Sequence, residues 1–122
     1  MSLALDHILV PAKDKDASAR FFARIFGLSY KHTGGHFAAV KVNDTLTLDF
    51  ADDDDKFERY HLAFSMSRAE FDAIIARLKA EKIPFGSGSG SPDSQTGRRS
   101  NGQHSFYFSD LSGHSLQVLT DG

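Results

Sequence analysis

The chain has 122 residues, no cysteine, and 14 basic against 16 acidic residues, a formal net charge of −2. That length buries one core without disulfides, and the missing cysteines exclude thiolate nucleophiles and Cys zinc sites and make the cytoplasm the expected compartment. The near-balanced charge excludes the sustained positive field that nucleic acid requires, which leaves a small molecule as the expected partner.

The opening "LALDHILVPA" is short, contains Asp6 and His7 and lacks a basic flank, so neither a secretory nor a membrane-spanning segment is expected. It predicts a strand in which Ile8 and Val10 share one face and His7 takes the other. An amphipathic helix follows. Asp14 or Asp16 is placed to cap it, Ala17, Phe21, Phe22 and Ile25 form its apolar face, and Gly27 suits a left-handed exit. Three strand candidates come next, "SYKHT", "HFAAVKV" and "TLTLDF", with turns at Gly34-Gly35 and Asn43-Asp44. In "TLTLDF", Leu46, Leu48 and Phe50 alternate with Thr45, Thr47 and Asp49. The acidic run at 52–56 reads as a solvated loop.

The second half repeats this layout. "YHLAFSM" predicts a strand with Leu62, Phe64 and Met66 toward a helix and His61 opposite. Ser67 and Glu70 form a capping box, Phe71, Ile74, Ile75 and Leu78 make one helical stripe, and Pro84 closes the segment. Strands are predicted around "IPF", in "HSFYFSD" and in "HSLQVLT", where Leu116 and Val118 face the helix and Gln117 does not. Between them, residues 86–102 are rich in Gly and Ser and read as a flexible loop, in which Arg98 and Arg99 are solvated, or as a lid, from which they would greet an anionic group. His32, His36, His104 and His114 are expected to be exposed or to make local hydrogen bonds near turns.

Each half therefore reads β-α-β-β-β with a mostly antiparallel sheet, an α+β fold in one domain over 1–122 with modules at about 1–52 and 58–122. Superposing the halves makes His7 equivalent to His61 and Asp49 equivalent to Gln117. Two imidazoles, one carboxylate and one amide oxygen form a donor set suited to Fe, Ni, Co, Mn or Zn. Lys41, Thr47, Ser65 and Tyr107 alternate onto the same faces and are the expected substrate-cavity residues.

The whole chain resembles the vicinal oxygen chelate superfamily, which holds glyoxalase I, fosfomycin resistance transferases, extradiol dioxygenases and bleomycin resistance proteins. The resemblance rests on "LDHILV", on "FFARIFGL" against the pattern F-[FY]-x-x-[VIL]-[LF]-G-L, on "YHLAF", and on "FYFSDLSGHSLQV" against F-x-D-P-D-G-[HN]-x-[IL]-E-[LIV]. It implies two βαβββ modules curving a sheet around a cup, metal ligands at His7, Asp49, His61 and Gln117, and a homodimer in which subunits exchange modules. Two departures stand out: Leu111 and Ser112 replace the usual Pro and Asp, and Gln117 replaces the usual Glu. A glutamine can offer a neutral oxygen but cannot take a proton, so lyase chemistry of the glyoxalase kind would lean on Asp49. The resemblance thus implies metal-dependent lyase, isomerase or dioxygenase-like conversion of a small molecule, or metal-free binding of a drug-like ligand.

Overall fold

A computed structural model describes residues 3–30, 35–53, 57–86, 97–98 and 104–120. The chain divides into two units, Met1–Glu58 and Arg59–Gly122.

In the first unit, β1 (His7–Ala12) leads into α1 (Lys15–Phe26), followed by β2 (Ala38–Lys41) and β3 (Thr47–Asp52). Asp14 is the cap: its carboxylate accepts from the Ala17 amide at 3.1 Å, and Asp52 accepts from the Lys15 amide at 2.8 Å, so the helix N-terminus meets two carboxylates. Asp52 is therefore a helix-anchoring residue at the end of β3, not only part of a solvated acidic run. Gly27 ends α1 at φ 72°, a left-handed conformation that a side chain would strain. Phe21, Phe22, Ala23 and Ile25 are buried, and the Phe22 ring lies 6.1 Å from the Phe50 ring of β3 and stacks on Phe26 at 4.2 Å. Full burial of such a ring contributes roughly 1.5–3 kcal/mol.

The sheet order is β1-β3-β2, with β1 parallel to β3 and β2 antiparallel to it. Parallel neighbours need a crossover of a dozen or more residues, and α1 with the segment after it supplies one. The β2–β3 turn is closed by the Asn43 side chain, which accepts from the Leu46 amide at 2.8 Å and the Thr45 amide at 2.9 Å. The strand expected at "SYKHT" is not found at Ser29 or Tyr30, and its remainder, with His32 and Gly34, lies outside the described residues. His36 precedes β2 and is exposed.

The second unit runs β4 (His61–Ser65), α2 (Arg68–Ala80), β5 (Gly97–Arg98), β6 (His104–Ser109) and β7 (Ser115–Thr120), in sheet order β4-β7-β6-β5. Again the first strand lies parallel to the last, while β6 is antiparallel to both β7 and β5. Each unit thus holds a small, open, mixed sheet with a helix on one face. Ser67 and Glu70 form the full capping box. α2 stops before Pro84, because Lys82 turns left-handed at φ 57° and the Ile83 amide returns to the Leu78 carbonyl at 2.9 Å. Phe71, Ile74 and Leu78 are buried, and the Phe106 ring meets Phe71 at 5.0 Å and Phe85 at 5.4 Å.

Two expectations are corrected here. The "IPF" segment forms no strand, and only Gly86 bridges to Tyr107. Gly97 and Arg98 are not simply loop, since their backbone pairs with Ser105 and His104 as β5. Residues 87–96 and 99–103 lie outside the described residues, as does the Arg98 side chain.

Candidate functional site

Each sheet buries one face under its helix. In the first unit Val10, Leu48, Phe50 and Val40 fill that face. The pairing register puts His7, Thr47 and Lys41 on one rung of the opposite face, and Leu9, Asp49 and Ala39 on the next. Every first-unit residue expected at the site therefore stands on the face away from α1.

His7 is largely exposed, and its Nδ1 lies 2.8 Å from Asp6 Oδ2. The hydrogen bond to Asp6, and behind it the negative charge of Asp49, hold the His7 imidazole above its ordinary value of 6.5 against the opposing effect of burial. With Nδ1 committed to a carboxylate, Nε2 is the nitrogen left to bind a ligand, an arrangement common where His meets a metal. Sequence reading passed over Asp6, although its position beside His7 was the available signal.

In the second unit Leu62, Phe64, Phe106, Phe108, Leu116 and Val118 share the helix face. The opposite face carries the rungs His61–Ser115–Ser109, Ala63–Gln117–Tyr107 and Ser65–Leu119–Ser105. His61 Nε2 lies 3.0 Å from Gln117 Oε1, and the His61 ring meets the Tyr107 ring edge-on at 5.5 Å and 90°. An amide oxygen only accepts, so this contact puts a proton on Nε2. His61 is exposed whereas Gln117 is 6 % exposed, because β7 is flanked by a strand on each side. Ser65 keeps the predicted face at the end of β4.

His114 corrects the sequence reading. It is fully buried, and its Nδ1 accepts from the Tyr60 amide at 2.8 Å. The turn before it is organised by Asp110, whose carboxylate accepts from the His114 amide at 2.8 Å and the Ser112 amide at 3.0 Å. Burial pushes the Asp110 carboxyl up, opposed by the hydrogen bonds that it accepts from these amides. Glycine suits position 113: φ is 89°, a backbone conformation that a side chain would strain, and a Cβ would crowd the Arg59 side chain. The hydrophobic-alternation argument sees only a His beside a turn, and burial at that point is decided by packing.

The expected ligands thus come in two pairs, His7 with Asp49 on one unit and His61 with Gln117 on the other. Among the described residues no group of three or more His, Asp and Glu side chains is gathered as a metal ion requires. No helix among them is long and apolar enough to cross a membrane.

Comparison with known proteins agrees with this architecture. The chain is 25 % identical over 122 residues to the metallothiol transferase FosB of Lysinibacillus sphaericus (strain C3-41), covering 96 % of this chain and 82 % of that protein. Among solved structures it is similar to oxidase ChaP-H2, at 33 % identity and a TM-score of 0.89 over 98 % of this chain and 94 % of that one. Oxidase ChaP-H1 is similar at 34 % identity and a TM-score of 0.88, over 98 % and 96 %. Residues 4–118 match the sequence profile of one family, and the chain belongs to it: the glyoxalase/bleomycin resistance protein/dioxygenase superfamily.

Proposed function

We propose that this protein is a divalent-metal-dependent enzyme that oxidises a small organic molecule with dioxygen as oxidant, its metal held by His7, Asp49, His61 and Gln117. The observation that carries the reading is the 3.0 Å separation of His61 Nε2 and Gln117 Oε1. The two are donor atoms side by side on one sheet face, and they would hold a shared cation once the imidazole proton moves from Nε2 to Nδ1. His7, with Nδ1 fixed on Asp6, and Asp49 on the neighbouring rung form the other donor pair. The donor set fits Fe, Co, Ni, Mn or Zn, and a redox-active member of that group supplies the path of electrons to oxygen as well as charge for the substrate's oxygens.

The likeness to two oxidases above 30 % identity favours oxidation over lyase chemistry, and so does Gln117. A neutral amide leaves Asp49 as the carboxylate on these two faces able to take a proton from substrate. Asp6 holds the His7 ring in one tautomer. Lys41 and Thr47 share the rung of His7, while Tyr107 flanks Gln117 and Ser65 lies one rung beyond it, where they would meet the substrate. Arg98 is proposed to receive an anionic substituent. Joining the two donor pairs is proposed to take a homodimer, and a cysteine-free sequence suits the reducing cytoplasm.

A second reading, a metal-free binder of a small molecule, is favoured by one observation: His61 and Gln117 already satisfy each other. Elemental analysis of the dialysed protein beside the His7→Ala/His61→Ala variant separates the two. Near-stoichiometric metal in the wild type that vanishes in the variant supports the enzyme. Failure of the wild type to retain or rebind any metal refutes it, and a monomer in sedimentation at micromolar concentration refutes the shared site.

A further inference from the structure

We infer that His114 is a positioning residue that sets the orientation of His61 through the Tyr60 backbone. The inference rests on the reading of His61 as a site residue. β4 begins at His61, and the residue before it is held on both backbone sides. The Tyr60 amide donates to His114 Nδ1 at 2.8 Å, and the Tyr60 carbonyl accepts from the Ser115 amide at 2.9 Å. An imidazole nitrogen thus stands where a sheet would otherwise need a backbone carbonyl. The Tyr60 ring also lies against the His114 ring, centroids 5.1 Å apart and tilted by 43°.

His114 is itself fixed. It is 0 % exposed, its own amide is bound by Asp110 at 2.8 Å, and Gly113 brings the chain to it at φ 89°. No buried side-chain nitrogen or oxygen among the described residues lacks a hydrogen-bond partner. Accepting an N–H bond leaves Nδ1 without a proton, so the ring is neutral with its proton on Nε2. Three residues beyond it, β7 presents Gln117 to His61. One buried ring therefore sits between the starts of the two parallel strands that carry the pair, and the His61 side chain departs one residue after the pinned amide. A small rotation of that peptide moves the imidazole by more than the tolerance of a ligand pair at 3.0 Å.

Two variants separate positioning from filling of space. In His114→Asn the side-chain Oδ1 is bonded to Cγ as Nδ1 is in histidine, so it takes over as acceptor; His114→Leu fills the space without one. Long-range ¹H–¹⁵N spectra of the metal-free full-length protein read the His61 tautomer directly. The wild type and His114→Asn are expected to hold His61 as one Nε2–H tautomer, and His114→Leu to show averaging between tautomers. Titration with Co²⁺ alone, followed by visible absorption, is expected to show about tenfold or greater weakening in His114→Leu, the scale of outer-shell changes, and less than about threefold in His114→Asn. An unchanged His61 tautomer in His114→Leu, or an Asn variant as impaired as Leu, overturns the inference. If the wild type binds no Co²⁺, the metal reading fails and the tautomer spectra alone decide on His114. Should His114→Leu not fold, Asp110→Ala, which frees the His114 amide, replaces it with the same expectation in both experiments.

Discussion

Replacing His61 and Gln117 one at a time is expected to give unequal losses of stability, although both changes break the same hydrogen bond. His61 is exposed, so when Gln117→Leu removes the acceptor, Nε2–H turns to water, and a leucine of similar volume replaces a buried amide. A buried polar pair exchanged for water on one side and apolar surface on the other costs less than about 1 kcal/mol. His61→Leu is the harsher change. It strands the amide oxygen of a glutamine that is 6 % exposed beneath an apolar side chain, at about 1–3 kcal/mol, and it removes the edge-on contact with Tyr107, worth up to roughly 1 kcal/mol. The His61→Leu variant is thus expected to be the less stable by at least about 1 kcal/mol. The double variant should recover most of the excess, a coupling on the order of 1 kcal/mol. Urea unfolding with chelator present, at one fixed pH, measures all four proteins. Equal losses, or a larger loss for Gln117→Leu, would refute the assignment of a wet histidine and a dry glutamine.

Asp6→Asn is expected to return the His7 midpoint toward 6.5, read by NMR titration; an unmoved midpoint would show that Asp6 does not raise it. Because the folded value lies above 6.5, the stabilisation from this contact is present below that pH and is lost as pH rises through the folded midpoint. Partial burial and the 2.7 Å hydrogen bond to Asp16 push the Tyr30 phenol up to about 12. The folded state then keeps the proton longer, so stability falls as pH rises from 10.0 toward about 12, and the last phenolate step in ultraviolet absorbance should disappear in Tyr30→Phe. Asp110→Ala removes acceptors for two amides and is expected to cost about 2–3 kcal/mol in urea unfolding, whereas Asp110→Asn keeps an acceptor without a buried charge and should stay within about 1 kcal/mol. A similar loss for both would assign the effect to the charge.

Local chemistry determined much of this protein by itself. The Ser67/Glu70 capping box, the Asp14 cap and the Gly27 exit depend on neighbours within four residues, so their signals survive in one dimension. The faces of β1, β3, β4 and β7 follow from the alternation of side chains along a strand, which by itself sets His7, Asp49, His61 and Gln117 on the side away from the helices. Membership of the superfamily was legible for the same reason, since its motifs are these short-range patterns in order.

Tertiary structure decided the rest, because the partners lie far apart in sequence. Parallel pairing of β1 with β3 and of β4 with β7 spans a crossover whose hand and register no local run encodes. Asp52 reaches the first turn of α1 across 37 residues, and the 3.0 Å contact of His61 with Gln117 crosses 56. His114 shows the physical reason most directly. Beside Gly113 it reads as a turn residue, yet the fold removes it from water and sets its Nδ1 on an amide 54 positions away. A buried imidazole must find such a partner, and only the packed chain determines which one.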